Sequence, residues 1–154
     1  ESWLEKGEHA ELKADFCGWH ENIRVLIDAM DPDQCYKWAL FDRDPMPRWS
    51  VGPATLLGDA CHPTLPFMAQ GAAMAIEDGA VLAECLLRHD CPTIALETYS
   101  SIRQPRTAKV QQNSRLNAKV FHMRPPWTWL RNPLLKYGSA VQMDWLYTHD
   151  VYAH

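Results

Sequence analysis

The chain has 154 residues, 47% of them hydrophobic and 22% charged, with a formal net charge of −4. That length suits one ordinary domain with a real core, small for a two-substrate enzyme with a nucleotide cofactor, and the composition excludes a disordered or low-complexity chain. The negative balance excludes nucleic acid as the main partner, because phosphate binding needs a concentrated basic surface, and no apolar run reaches the roughly 18 to 20 residues of a membrane span.

The first residues, ESWLEKGEHAELKADF, lack the basic start and apolar centre of a signal peptide, so cytoplasm is the expected compartment. Two short helices are predicted over 8–17 and 20–30, the second with a buried stripe of Ile23, Leu26, Ile27 and Met30 and an end at Asp31-Pro32-Asp33. CYKWALFDR, residues 35–43, is aromatic and partly alternating and reads as a strand. Two prolines in DPMPRW exclude a helix and suggest an exposed or substrate-facing crossing loop.

ATLLGDA, residues 54–60, is a short apolar run stopped by glycine, which suits a buried strand. From Gly71 to Leu87 the apolar positions 72, 75, 76, 79, 80, 82, 83, 86 and 87 follow a helical period, with alanine and glycine forming a close-packing face. Helices over 93–104 and 105–121 follow, with Pro105 in the first turn of the second or at a kink between them. Arg103, Arg106, Lys109 and Arg115 are spread along this segment and read as a solvated helix face. MRPPWTWLRNPLL and the WLYTHDVY tail are aromatic and proline-rich packing segments. The seven tryptophans and these apolar segments leave room for a homodimer, although large aromatics usually belong to a core.

Five cysteines, at 17, 35, 61, 85 and 91, have no CxxC spacing, so neither a disulfide framework nor a metal site is expected, and reduced, mostly buried thiols are. Cys61-His62 could suggest a metal or a thiolate nucleophile, but adjacent side chains in extended chain usually point apart.

The chemistry concentrates in residues 58–79, GDACHPTLPFMAQGAAMAIEDG. Asp59 falls at the C-terminal end of the predicted strand, where open sheets bind ligands, and a carboxylate there accepts hydrogen bonds from sugar-alcohol hydroxyls. The helix beginning at Gly71 presents unpaired N–H groups that favour an anion or a polarised carbonyl by about 0.3 to 1 kcal/mol, more when partly buried. Gly71, Ala72 and Ala73 are small enough for a flat ligand to reach those groups. Pro63 and Pro66 stiffen the intervening loop into a preorganised wall. On Gly-Asp alone, an ordinary turn before a core helix would explain the block equally well.

GDACHP, TLPFMA and QGAAMAIED together closely resemble the GD-motif region of the single-component FAD-dependent aromatic hydroxylases, which include salicylate, hydroxybenzoate and hydroxynicotinate hydroxylases. RQPRTAKVQ and WLYTHD are similar to the C-terminal region of that family. The resemblance implies the family's α/β fold, a Rossmann-like FAD/NAD(P)-binding domain with a substrate domain, present here as a mainly helical C-terminal portion with few strands. It implies residues 1–50 as the end of the substrate region, 51–90 as the GD-motif unit and 91–154 as the C-terminal helical region.

It further implies that Gly58 and Asp59 bind FAD, with Asp59 on the ribityl chain, and that the N–H groups of Gly71, Ala72 and Ala73 face the pyrimidine edge of the flavin. Pro66, Phe67 and Met68 would lie beside the ring where an aromatic substrate docks. His62 and Gln70 would shape the loop, while Glu77 and Asp78 would be structural carboxylates near a helix start; no catalytic base is assigned. The implied reaction uses NAD(P)H and O2 to hydroxylate a phenol-like or N-heteroaromatic ring. The family's N-terminal GxGxxG and middle DG motif have no counterpart, since no two glycines stand two positions apart, so the chain reads as the C-terminal part of a longer protein. The other reading is a non-catalytic helical packing or dimerisation module that keeps the motif without binding FAD.

Overall fold

The structure is a computed structural model in which residues 4–138 and 144–153 are described. The chain divides into two compact units, Glu1–Leu40 and Phe41–His154. Within the first, α1 (His9–Asp15) and α2 (Glu21–Asp28) form where the apolar spacing predicts helices. The His20 ring caps α2 by accepting from the Asn22 N–H at 3.2 Å, and His9 Nε2 lies 2.8 Å from the Ile27 carbonyl. Ile23, Ile27 and Met30 are half-buried, whereas Leu26, expected in the same stripe, is exposed.

The strand expected over 35–43 does not form. Tyr36 makes an isolated antiparallel bridge with Lys6, closed by Gly7 N–H to the Cys35 carbonyl and Lys37 N–H to the Glu5 carbonyl, both 2.9 Å. Beyond Lys37 no neighbouring strand lies alongside among the described residues, and an alternating pattern without a partner ladder stays irregular.

The second unit opens with a minimal hairpin, β1 (Ser50–Val51) antiparallel to β2 (Ala54–Thr55), with Ser50 opposite Thr55. Gly52 takes φ +56 at the first loop position, which L side chains avoid and which suits a two-residue hairpin turn. Ser50 Oγ ties the hairpin to the long helix through Ser100 Oγ at 2.6 Å and the Leu96 carbonyl at 3.0 Å. The buried strand expected over 54–60 is thus only two residues long. Leu56 and Leu57 stay exposed, and Gly58–Ala60 is a 3-10 turn.

Helix α3 (Gly71–Arg88) agrees with its predicted span, and α4 (Pro92–Phe121) begins with proline in its first turn, where the missing N–H costs nothing. The two helices predicted on either side of Pro105 are one continuous helix. An internal proline costs about 3 kcal/mol, but here the flanking Arg103 and Arg106 are both clamped to carboxylates of α3, so packing holds the axis through the break. α5 (Trp127–Gly138) and α6 (Asp144–Tyr147) follow.

Two apolar clusters form the core. Trp49, Cys61, Val81, Cys85, Ala95 and Tyr99 make the first; Met68, Met74, Val110 and Leu146 make the second. Trp49 thereby places part of the DPMPRW loop inside the core rather than at the surface, while Pro45, Met46 and Pro47 border a cavity of about 300 Å³ beside Pro105. The fold is mainly helical, with two short strands among the described residues, and no described helix is long and apolar enough to cross a membrane.

Candidate functional site

The site begins at the Gly58–Ala60 turn. Gly58 has φ +61, and a Cβ there would stand 3.3 Å from Cβ of Ala75, so both the turn and the close approach to α3 call for glycine. Its N–H donates to Oδ2 of Asp78 at 3.0 Å, and its carbonyl accepts from the N–H groups of Cys61 and His62, each at 3.0 Å. With the backbone held from inside, the Asp59 side chain is turned to solvent and makes no hydrogen bond or ion pair among the described residues.

Residues 61–70 carry the chain from this turn to α3. Pro66–Met68 is a second 3-10 turn, and Ala69 follows with φ 52, a left-handed conformation costing an alanine about 1 to 2 kcal/mol. That reversal delivers the chain directly to the first turn of α3. Gln70 gives no side-chain cap, and the first helical N–H with a partner is Met74, 2.9 Å from the Gln70 carbonyl. The N–H groups of Gly71, Ala72 and Ala73 are the orphan donors of an uncapped helix.

These pieces enclose a groove of about 490 Å³ lined by Asp59, Thr64, Pro66, Gln70, Gly71 and Ala72 among others. A Cβ on Gly71 would lie 3.7 Å from Thr64 Cγ2 and 4.0 Å from Asp59 Oδ1, so glycine keeps the space between loop, carboxylate and helix start open. Of the residues singled out in the sequence, Asp59, Pro66, Gly71 and Ala72 share this groove. Gly58 lies beneath it, Ala73 is outside its lining, Phe67 meets Phe121 and His122 edge-on, and Met68 is buried in the second core cluster.

A buried charge network supports the site. Asp78, 0% exposed, accepts from Gly58 N–H and from His62 Nε2 at 2.5 Å on one oxygen, and from Arg103 Nε at 2.7 Å on the other. Arg103, 1% exposed, also reaches Glu77 at 2.7 Å and the Met74 carbonyl at 3.3 Å. Arg106 closes the chain with two 2.7 Å bonds to Glu77. Burial works to raise the Asp78 pKa, but the hydrogen bonds from His62, Arg103 and Gly58 outweigh it and hold the carboxyl below its usual range. Glu77 is lowered in the same way, burial being overcome by Arg106 and Arg103.

Two sequence expectations change here. Arg103 and Arg106 are not a solvated face, since Arg103 is buried and Arg106 half-buried against carboxylates of α3, and Arg115 pairs with Asp42 and Asp44; Lys109 sits 4.0 Å over the Trp145 ring. Asp78 is structural, as expected, but by internal hydrogen bonding rather than by a favourable position near an exposed helix start. The signal was present in spacing: Asp78 falls in register with Met74, Val81 and Cys85, and Arg103 with Leu96, Tyr99, Thr107 and Val110. A charge inside an apolar stripe needs a buried partner, and each supplies the other's.

Cys61, His62 and Asp78 bring their ligand-type atoms within 4.8 Å of one another. This trio suits neither a cation nor a thiolate nucleophile. Burial and the Asp78 charge push the Cys61 thiol up to about 12, and both Asp78 oxygens are committed, one of them to a guanidinium that would repel a metal ion.

The profile of the family described as FAD binding domain matches residues 19–114, well over half of the chain. The chain belongs to this family. It is 42% identical over 97% of its length to a 6-hydroxynicotinate 3-monooxygenase of Pseudomonas fluorescens, covering 34% of that protein. Among solved structures it is similar to a salicylate hydroxylase substrate complex, with a TM-score of 0.76 and 30% identity over 98% of this chain and 37% of that one. Klebsiella pneumoniae HpxO, complexed with FAD and uric acid, is similar with a TM-score of 0.71 and 28% identity over 84% of this chain and 36% of that one. The chain spans about a third of the length of the curated relatives it matches.

FAD is the cofactor of this family, and the groove has the donor and acceptor set such a group needs. An unpaired carboxylate suits ribityl hydroxyls, the orphan N–H groups of Gly71 and Ala72 suit a polar heterocycle edge, and the lack of bulk at those two residues admits a flat ring.

Proposed function

We propose that this chain supplies part of the FAD site of a monooxygenase that hydroxylates a phenol-like or N-heteroaromatic ring using NAD(P)H and O2. The observation that carries this is the groove itself, in which the free carboxylate of Asp59 and the uncapped start of α3 face one space. The names of the similar proteins, which include hydroxylases of hydroxynicotinate and salicylate, support the substrate class.

FAD, when bound, supplies the redox chemistry that couples NAD(P)H oxidation to insertion of one oxygen atom of O2 into the ring. Asp59 accepts hydrogen bonds from the ribityl hydroxyls. The N–H groups of Gly71, Ala72 and Ala73 donate to the polar pyrimidine edge, with the helix dipole adding to their pull on negative charge. Gly58 shapes the turn that presents Asp59. We assign the substrate side to the turn Pro66–Met68, where Pro66 walls the groove, Phe67 extends the apolar surface and Met68 packs beneath, keeping water from the reacting ring. Five free cysteines and no disulfide among the described residues fit a reducing compartment, so we assign the protein to the cytoplasm.

An FAD titration followed by flavin fluorescence tests this reading. Asp59→Ala should weaken binding by about tenfold or more, the loss of hydrogen bonds to a charged acceptor. Equal affinity of the variant and the parent would remove Asp59 from the site, and absence of any saturable binding to a folded parent would remove the claim that this chain holds FAD.

A further inference from the structure

The loop that walls the groove has almost no backbone partners of its own, yet one side of it is tied down at regular intervals by α4. Gln111 Nε2 donates to the Pro63 carbonyl at 2.9 Å, Ser114 Oγ to the Leu65 carbonyl at 2.6 Å, and Asn117 Nδ2 to the Phe67 carbonyl at 3.3 Å. The three donors stand about one helical turn apart, and the three acceptors are alternate residues, Pro63 and Leu65 in the irregular stretch and Phe67 in the 3-10 turn that follows it. Gln111 also reaches the Arg43 carbonyl at 3.2 Å, and Asn117 the Met68 sulfur at 3.1 Å. Pro63 and Pro66 lack N–H groups, so a neighbouring strand could not pair this segment fully. Side chains of α4 take the place of that strand. The opposite side of the same segment, including Thr64 and Pro66, lines the groove.

We propose that Gln111, Ser114 and Asn117 are positioning residues, a rail on α4 that fixes residues 63–68 as a rigid wall opposite Asp59 and the start of α3. Gln111 and Ser114 are fully buried polar residues whose donors are used on this loop, and a buried donor so used specifies one geometry for its acceptor. The ligand that the wall meets rests on the FAD reading above; the rail itself rests only on the hydrogen bonds. A wall held in place loses less freedom when a ligand docks, so removing the rail should appear as weaker binding without loss of the groove's own donors.

The test compares the full chain with Ser114→Ala/Asn117→Leu, in which both replacements are good helix formers, and with Asn117→Gln, which keeps a donor. Hydrogen–deuterium exchange is read on residues 64–69 and, as a control, on the middle of α3, alongside an FAD titration. The double variant should exchange roughly tenfold faster in the loop with the α3 control unchanged, and bind FAD roughly tenfold more weakly, while Asn117→Gln stays near the parent in both. Unchanged loop exchange overturns the rail, as does acceleration spread equally through α3, which would mean general loosening. Faster loop exchange with undiminished FAD affinity overturns the positioning role. If the parent binds no FAD while the double variant still frees the loop selectively, the flavin reading fails and the rail stands.

Discussion

Helix α3 carries apolar residues on two faces, and the face with the longer apolar record is the one turned outward. Met74, Asp78, Val81 and Cys85 are buried against α4 and the core, whereas Ala72, Ile76, Gly79, Ala83, Leu86 and Leu87 are exposed, Ile76 at 74% and Leu87 at 89%. The periodicity at 72, 76, 79, 83 and 86 marks a helix correctly but does not mark the side that is buried within this chain. Burial goes to the face that contains a charged residue, because Asp78 finds three donors there. An inward aspartate with its partners fixes rotation and register more tightly than an aliphatic stripe, which slides at little cost.

The contrast is sharpest at Asp78. Asp78→Ala leaves the buried Arg103 guanidinium, His62 and the Gly58 N–H short of an acceptor, and should cost about 3 to 5 kcal/mol, read as a shift in the urea midpoint. A loss below about 1 kcal/mol would mean that the charged face is not what orients α3. Met74→Ala, on the same face but apolar, should cost about 2 to 5 kcal/mol through its cavity, read as a shift in the same urea midpoint.

Acid separates the faces in a second way. Asp78 and Glu77 have pKa values lowered in the folded state from 3.8 and 4.5, so the unfolded chain binds their protons first as pH falls. Their contribution is therefore fully present above the unfolded values and is lost as pH drops through the folded ones. Stability should fall below about pH 4.5, and Asp78→Asn should flatten that fall; an unaltered acid limb would place the titration elsewhere.

The outward face should respond weakly and with the other sign. A Cβ on Gly79 meets nothing within 4 Å, so Gly79→Ala should stabilise this chain by about 0.5 to 1 kcal/mol through helix propensity alone. Ile76→Ser should change the stability by less than about 0.5 kcal/mol, since the side chain is exposed before and after. Destabilisation by Gly79→Ala in a thermal melt would show that something packs closely on this face in solution.

Much of the site was legible without coordinates, and for a local reason. Gly58, Asp59, Pro66, Gly71 and Ala72 lie within fifteen residues of one another, so a short stretch of chain brings four of them to one groove with Gly58 next to it in sequence. The residues that support them were not legible in the same way. Nothing in the sequence singled out Gln111, Ser114 and Asn117 within their predicted helix, and Arg103 read as a solvated charge, because their partners lie 25 to 50 residues away.

What the sequence determined by itself is therefore the short-range part: the spans of α1, α2 and α3, the proline-stiffened loop and the family to which they belong. Helix period and turn chemistry act over a few residues, so they survive in one dimension. Only the tertiary structure decided that α4 runs unbroken through Pro105, that 35–43 forms no strand, and which face of α3 is buried. Each of those outcomes depends on a partner distant in the chain, an arginine clamped to a carboxylate, a ladder with no second strand, or an aspartate that three donors reach together. Such partners are brought together only by the fold.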